Sequence, residues 1–278
     1  MTKTDVLQLR SQKTTRCKTK STRLFPSGFF VFIIKFLYLC IKNITMIKIC
    51  SFSDMHGNLD FTIEPCDLVL ICGDIVPLNI QSYNKPSEKW FRDTFIPWCN
   101  NLPCDKVLFI GGNHDRWLCN HEDKIRLMLN GNNKVTYLNC EVYPYKGINI
   151  YGTPLCKIFG HWSFMEAYEF QDEKYNKQIE TLPKIDILMA HDSPYGISDI
   201  ILQKDCPWAD GTHIGNESLR KFCEKIKPKL FVKGHLHSTE HGCLMLNDTS
   251  IYTVSLLDER YKMVYKPLYI EFDNSNKD

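Results

Sequence analysis

Nowhere does the chain run apolar for the ~20 residues that a membrane-spanning helix needs. Its longest candidate, residues 29–41, covers only 13 positions and is interrupted by Lys35. No small-residue cleavage site of the Ala-x-Ala kind follows that stretch, as a secretory leader would require. Cys-x-x-Cys pairs are missing as well, although thirteen cysteines are scattered along the sequence. That pattern disfavours an all-thiolate zinc site and argues against a secreted disulfide framework. Cys50, Cys72 and Cys223 lie inside apolar segments, where a reduced thiol packs as a small hydrophobe. The expected compartment is therefore the cytoplasm. Internal repeats and low-complexity tracts are also absent.

Net positive charge is missing beyond the first 45 residues. That segment holds nine Lys or Arg against Asp5, a formal +8, which leaves about −6 for the remainder of a chain whose total is +2. An acidic body argues against a broad nucleic-acid surface, which wants a basic footprint. Three readings of residues 1–45 stay open: a segment preceding a true start at Met46, a weak interfacial or membrane anchor through residues 29–41, or a cleaved signal. Membrane contact is expected only if residues 29–41 are retained.

From Met46 onward the sequence reads as one domain, residues 46–278. Its size and the 44% hydrophobic content of the whole chain suffice for two sheets around a core. Residues 47–52, 68–72, 107–110, 185–190 and 230–232 are short apolar runs of buried-strand type. Residues 251–255 and 268–272 read as strands of a second sheet. Ser87 is placed to cap a helix carrying Trp90, Phe91 and Phe95, with Pro97 ending or kinking it. Leu219, Phe222, Cys223 and Ile226 fall at helical spacing between Asn216 and Pro228. The expected fold class is α/β, a layered α/β-β/α sandwich of two mixed sheets flanked by helices.

What is present is a set of metal-grade side chains, each just past an apolar run. In order they are Asp54 and His56, Asp74, Asn113, His191, then His235 and His237. Open α/β sheets bind ligands at the carboxyl ends of strands. Two divalent ions about 3.5–4 Å apart clamp a phosphate ester and generate a bridging hydroxide. Such a pair needs a carboxylate shared between the ions, for which Asp74 is the natural choice, together with imidazoles and a neutral amide. Without thiolates this set suits Mn, Fe or Zn. Singly, the fragments have plainer readings: Asp54 and His56 precede Gly57-Asn58 and suit a turn, and residues 191–194 suit a capped strand end. Jointly they describe a site.

The fragments Asp54-Met55-His56, Gly73-Asp74, Gly112-Asn113-His114-Asp115, His191 and Gly234-His235-Leu236-His237 resemble the signature of the calcineurin-like metallophosphoesterase superfamily. The resemblance covers nearly everything from Met46 onward. It implies that Asp54, His56, Asp74 and His237 hold one metal and that Asp74, Asn113, His191 and His235 hold the other. It gives His114 the phosphate contact and leaving-group assistance, with Asp115 beside it to orient the imidazole. Superfamily protein phosphatases carry Asp-Arg-Gly after the second motif, whereas Gly73-Asp74 here runs into Ile75-Val76-Pro77. The chain instead looks like the small single-domain group of class III phosphodiesterase-like and metallophosphoesterase-domain-containing proteins. Tyr151-Gly152-Thr153-Pro154, followed by Phe159, Trp162 and Phe164, also resembles that group. The expected activity is metal-dependent hydrolysis of phosphodiesters or small phosphate esters, with a nucleotide as one candidate substrate for the aromatics to stack on. The alternatives are a nuclease acting on DNA or RNA ends and a non-catalytic scaffold.

Overall fold

The computed structural model describes residues 46–201 and 211–275, so the readings attached to residues 1–45 lie outside it. Aliphatic and aromatic residues crowd β1 (Met46–Phe52), β2 (Cys66–Cys72) and β3 (Cys104–Ile110), each of which ends in at least four consecutive buried residues. Burial on both faces is what parallel strands covered by other layers require. These three run parallel and are joined by β4 (Val135–Tyr137). The chain then passes to β5 (Glu141–Tyr145), β6 (Ile148–Thr153) and the short pair β7 (Cys156–Lys157) and β8 (Met165–Glu166). It continues through β9 (Ile187–Ala190), β10 (Leu230–Lys233), β11 (Leu244–Leu246), β12 (Thr249–Thr253) and β13 (Leu268–Asp273).

The first sheet has the order β13-β1-β2-β3-β4 and the second β11-β12-β10-β9-β6-β5. Both are mixed. Ile47, Ile49, Leu68, Leu70, Leu108 and Ile110 face Ile148, Ile150, Ile187, Met189, Leu230 and Val232 in one buried cluster between the sheets. Helices cover the outer faces. α1 (Asn84–Trp90), a π-helical turn at Phe91–Phe95, α2 (Ile96–Asn101), α3 (Arg116–Asn120) and α4 (Glu122–Met128) bring Phe91, Phe95 and Trp117 onto Phe52, Ile71 and Phe109. α5 (Tyr168–Ile179) and α6 (Glu217–Ile226) lay Tyr175, Leu219 and Phe222 on Tyr151, Leu188 and Phe231. The result is the four-layer sandwich expected from the sequence.

Two details differ from expectation. β13 belongs to the first sheet, antiparallel to β1 with Met46 opposite Asp273. Its alternation explains this: Leu268, Ile270 and Phe272 turn to the inter-sheet core while Tyr269, Glu271 and Asp273 turn outward. That suits an edge strand with one solvated face, which completes the open side of β1. Ser87 is not an N-cap. It lies inside α1, and its hydroxyl donates to the Ile80 carbonyl at 2.8 Å. Pro97 does deform the helix, which widens just before it: the Ile96 N–H reaches back five residues to the Phe91 carbonyl. A proline lacks the N–H that would continue the α pattern, and its ring collides with the carbonyl four residues earlier. The helix expected between Asn216 and Pro228 is α6, and Asn216 caps it, accepting from the Leu219 N–H. Among the described residues no helix is long and apolar enough to cross a membrane.

Candidate metal centre

The carboxyl ends of β1, β2, β3, β9 and β10 open at one edge, and each delivers site residues in the loop that follows. The backbone there is unusual. Asp54, His56, Asp74 and His235 adopt positive φ values of 54°, 44°, 53° and 72°. Non-glycine residues rarely take this conformation, and it concentrates at functional sites. Glycines make room beside them: a Cβ on Gly112 would sit 2.3 Å from Asp74 Oδ1, and one on Gly234 would sit 2.5 Å from Asp54 Oδ2.

The side chains converge. Asp74 lies between three imidazoles, with His56 Nε2 at 3.7 Å, His191 Nε2 at 3.4 Å and His114 Nε2 at 4.0 Å from its oxygens. His237 Nε2 is 3.3 Å from Asp54 Oδ1, and Asn113 Oδ1 is 2.9 Å from His191 Nε2. The rings of His191 and His235 are 5.1 Å apart. Ligand atoms of Asp54, His56 and His237 all fall within 4.8 Å of one another, and so do those of Asp54, Asp74 and His191. All seven residues singled out in the sequence thus meet at this edge.

Hydrogen bonds behind the site hold the rings. His191 Nδ1 donates to the Cys72 carbonyl at 2.7 Å and His237 Nδ1 to the Asp258 carbonyl at 2.9 Å. Each leaves Nε2 facing the carboxylates, the second-layer support that orients metal-binding imidazoles. Asp54 accepts from the hydroxyls of Ser53 and Ser255 and from the His235 amide.

Electrostatics sharpens the picture. Burial alone would raise the Asp54 carboxyl, but the hydrogen bond and charge of His237 hold it below the usual range. Asp74 is likewise held well below it, against burial, by the charges of His191 and His114. Burial opposes the charging of His191 and His237, yet Asp74 and Asp54 carry them up to about 10 and about 9. Burial pushes His56 and His235 down to about 4. Two buried carboxylates therefore demand positive charge at this spot, and two of the four imidazoles stay neutral. Both ring nitrogens of His56 are buried with no hydrogen-bond partner in the protein. A buried polar atom left without a partner is costly, and a cation meets both demands at once. The donor set of two carboxylates, four imidazoles and one amide oxygen fits a pair of divalent ions.

His114 and Asp115 do not form the pair that the sequence suggested. Asp115 is fully buried, and its oxygens accept the backbone amides of Ile75, Val76 and Gly112 at 2.9–3.2 Å. Burial and the neighbouring Asp74 charge push it up to about 7, against those amides. It clamps the Asp74 and Asn113 loops together. The His114 ring is positioned instead by Gln81, whose Oε1 lies 2.7 Å from Nδ1. Gln81 sits in an irregular connection with no motif around it, so the sequence carried no signal for it.

Above the carboxylates is a cleft of about 620 Å³ lined by Asp74, His114, His235 and His237 and walled by Phe159, Trp162 and Tyr261. Each aromatic packs on a site histidine: Trp162 on His114 at 4.4 Å, Phe159 on His235 at 5.2 Å and Tyr261 on His56 at 5.0 Å between ring centroids. All three remain substantially exposed. Tyr261, on the connection to β13, was not foreseen, because one tyrosine in a polar loop has no distinguishing context.

Comparison with known proteins agrees with this geometry. The sequence model of the calcineurin-like phosphoesterase family matches residues 47–239. A UPF0046 protein of Caenorhabditis elegans is 28% identical over 188 residues, covering 62% of this chain and 63% of that protein. A lariat debranching enzyme of Arabidopsis thaliana is 23% identical over 258 residues, covering 76% of this chain and 60% of that protein. The chain spans less than two thirds of the length of these curated relatives. The crystal structure of TT1561 from Thermus thermophilus has the same fold, with a TM-score of 0.53 at 12% identity over 82% of this chain and 99% of that one. The family match takes in every strand end that contributes to the site, and the chain belongs to the calcineurin-like phosphoesterase family.

Proposed function

We propose that this protein is a two-metal phosphoesterase acting on phosphodiesters or small phosphate esters, nucleotides among them. The observation that carries the reading is His56, whose two buried nitrogens have no protein partner although Nε2 stands 3.7 Å from Asp74. Asp54, His56, Asp74 and His237 would hold one ion, and Asp74, Asn113, His191 and His235 the other, with Mn, Fe or Zn suiting these donors. When bound, two such ions neutralise phosphoryl charge and make a water nucleophilic at neutral pH.

The chain's own side chains do the rest. Gln81 fixes the His114 ring so that Nε2 faces the space over Asp74, where it contacts the phosphoryl group. Cys72 and Asp258 keep His191 and His237 aimed inward. The aromatic walls shield the reacting centre from water and offer flat faces to an organic substituent. The acidic charge balance beyond residue 45 favours a small substrate over a polymer.

The test is a screen of metal-free protein reconstituted separately with Mn, Fe, Zn, Ni and Mg against monoesters, linear diesters and cyclic nucleotides. Metal-dependent hydrolysis is expected, and Asp74→Asn is expected to abolish it. A folded, metal-loaded protein that hydrolyses none of these sinks the proposal and favours a scaffold.

A further inference from the structure

Outside the metal centre, on the rim of the same cleft, a second acid–imidazole pair is built with care. Asp199 is only 1% exposed. Its Oδ2 accepts the backbone amides of Gly196 at 2.8 Å and Gly215 at 3.1 Å, and its Oδ1 lies 2.6 Å from Nδ1 of His213. The loop closes on itself as well, the Ile214 N–H donating to the Asp199 carbonyl at 3.1 Å. Gly215 permits this closure, since a Cβ there would stand 2.8 Å from Asp199 Oδ2. Tyr195 flanks the imidazole, its ring centroid 5.5 Å away.

The His213 side chain is 44% exposed and lines the cleft together with Asp74, Asn113, His114 and His235. A carboxylate aimed at Nδ1 sets the tautomer and direction of the ring and leaves Nε2 available for another partner. Burying a carboxylate is costly, and an exposed histidine with only a packing role has no need of one. His114 is backed differently. Its partner Gln81 is a neutral amide, which orients a ring but does not compensate a positive one. Of these two imidazoles, only His213 has a carboxylate hydrogen-bonded to Nδ1.

We propose that Asp199 and His213 form a second catalytic pair, in which His213 Nε2 delivers a proton to the leaving-group oxygen while His114 contacts the phosphoryl group. This rests on the phosphoesterase reading. As the oxygen of a water molecule bonds to phosphorus and gives up its proton to solvent, the bond from phosphorus to the leaving oxygen breaks; its electron pair stays on the leaving oxygen, which takes the proton from Nε2. Asp199 keeps its hold on Nδ1 throughout, and Nε2 regains a proton from solvent as product departs. Nothing is oxidised or reduced.

The dependence on leaving group tests it. The p-nitrophenyl, phenyl and ethyl esters of thymidine 5′-monophosphate present the same phosphoryl group with progressively more basic leaving oxygens. His213→Ala should retain its bound metal and lose little kcat on the p-nitrophenyl ester but about 10²-fold or more on the ethyl ester, the usual contribution of a proton donor. Asp199→Asn should show the same graded pattern, and the exposed position of His213 keeps the assignment testable if Asp199→Asn fails to fold. An equal loss on all three esters, no loss on any, or loss of metal from His213→Ala overturns the pair. Wild-type protein inactive on all three esters overturns the pair as assigned, whereas inactivity on monoesters and cyclic nucleotides as well overturns the phosphoesterase reading.

Discussion

His191 and Cys72 tie the two sheets together at the candidate metal centre. Cys72 is the last residue of β2 in the first sheet and His191 follows β9 in the second, yet imidazole Nδ1 and the Cys72 carbonyl are 2.7 Å apart. The same ring presents Nε2 to Asn113 at 2.9 Å and to Asp74 at 3.4 Å. A ring anchored at one end and turned toward candidate ligands at the other would make sheet packing and metal binding interdependent. His191→Ala should lower bound metal from two ions per chain to one, read by elemental analysis. It should also destabilise the fold by about 2–4 kcal/mol in urea titration, because the cavity adds to a buried carbonyl left unpaired. Two ions retained at full stability would contradict this coupling.

Metal binding should release protons. In the metal-free protein His191 and His237 stand at about 10 and about 9, raised by Asp74 and Asp54 against burial, so both are charged at pH 7.5. Their folded values lie above the ordinary imidazole value. Their contribution to apo stability is therefore complete below about pH 6.5 and is lost as pH rises through 9–10. A ligating imidazole must be neutral, so loading should liberate about two protons per chain. Calorimetry in buffers of differing ionisation enthalpy measures this number, and apparent affinity should rise with pH up to about 9. A pH-independent affinity would place the ions elsewhere.

Much of the fold was legible because its central strands are continuous apolar runs. β1, β2, β3, β9 and β10 stood out for that reason, and the polar fragments that follow them, some readable singly as turns or caps, describe a site when taken together. The rest was hidden for identifiable reasons. β13 alternates, and alternation gives a strand and its buried face but not the sheet it joins. α5 buries only Gln171 and Tyr175 along its length, so it shows no apolar stripe to read. The seven expected ligands could be picked out because metal donors are few in kind. Gln81 and Tyr261 reach the site through contacts between distant loops, and Asp199 meets His213 14 residues further along, pairings that sequence spacing does not encode. Asp115 looked catalytic because it adjoins His114 in sequence, but a turn sends its carboxylate the other way.

His114→Ala should leave both ions bound and lower kcat by about 10²–10³-fold, as loss of a contact to phosphoryl charge does, since its ring nitrogen faces Asp74 at 4.0 Å while the surrounding donors remain intact. Gln81→Leu should reproduce a smaller part of that loss, about 10-fold, with KM nearly unchanged, because it removes orientation and not the ring. Loss of metal from His114→Ala would make it a ligand and not a contact to phosphate.

Asp115→Ala should behave as a folding variant. Removing the carboxylate strands the amides of Ile75, Val76 and Gly112, each worth roughly 1–3 kcal/mol when buried without a partner. A drop of about 3–5 kcal/mol in urea titration is expected. The fraction that stays folded and metal-loaded should keep kcat within about tenfold of wild type. Full stability with catalysis abolished would restore a direct chemical role for this carboxylate.

The aromatic wall should recognise a planar substituent, and Trp162 is the residue to ask. Its ring lies 4.4 Å from that of His114 and 46% of the residue is exposed. Stacking of a base on an aromatic side chain is worth about 1–3 kcal/mol, or about 5- to 150-fold in binding. Thymidine 5′-p-nitrophenyl phosphate and methyl p-nitrophenyl phosphate share a leaving group and differ only in the nucleoside. Trp162→Ala should raise KM for the nucleoside ester about tenfold while changing that of the methyl ester by less than about threefold. An equal rise on both would mean that Trp162 only buttresses His114, and an equal fall in kcat would point the same way. A selective rise in KM for the nucleoside ester, with kcat preserved, would assign the wall to the substrate.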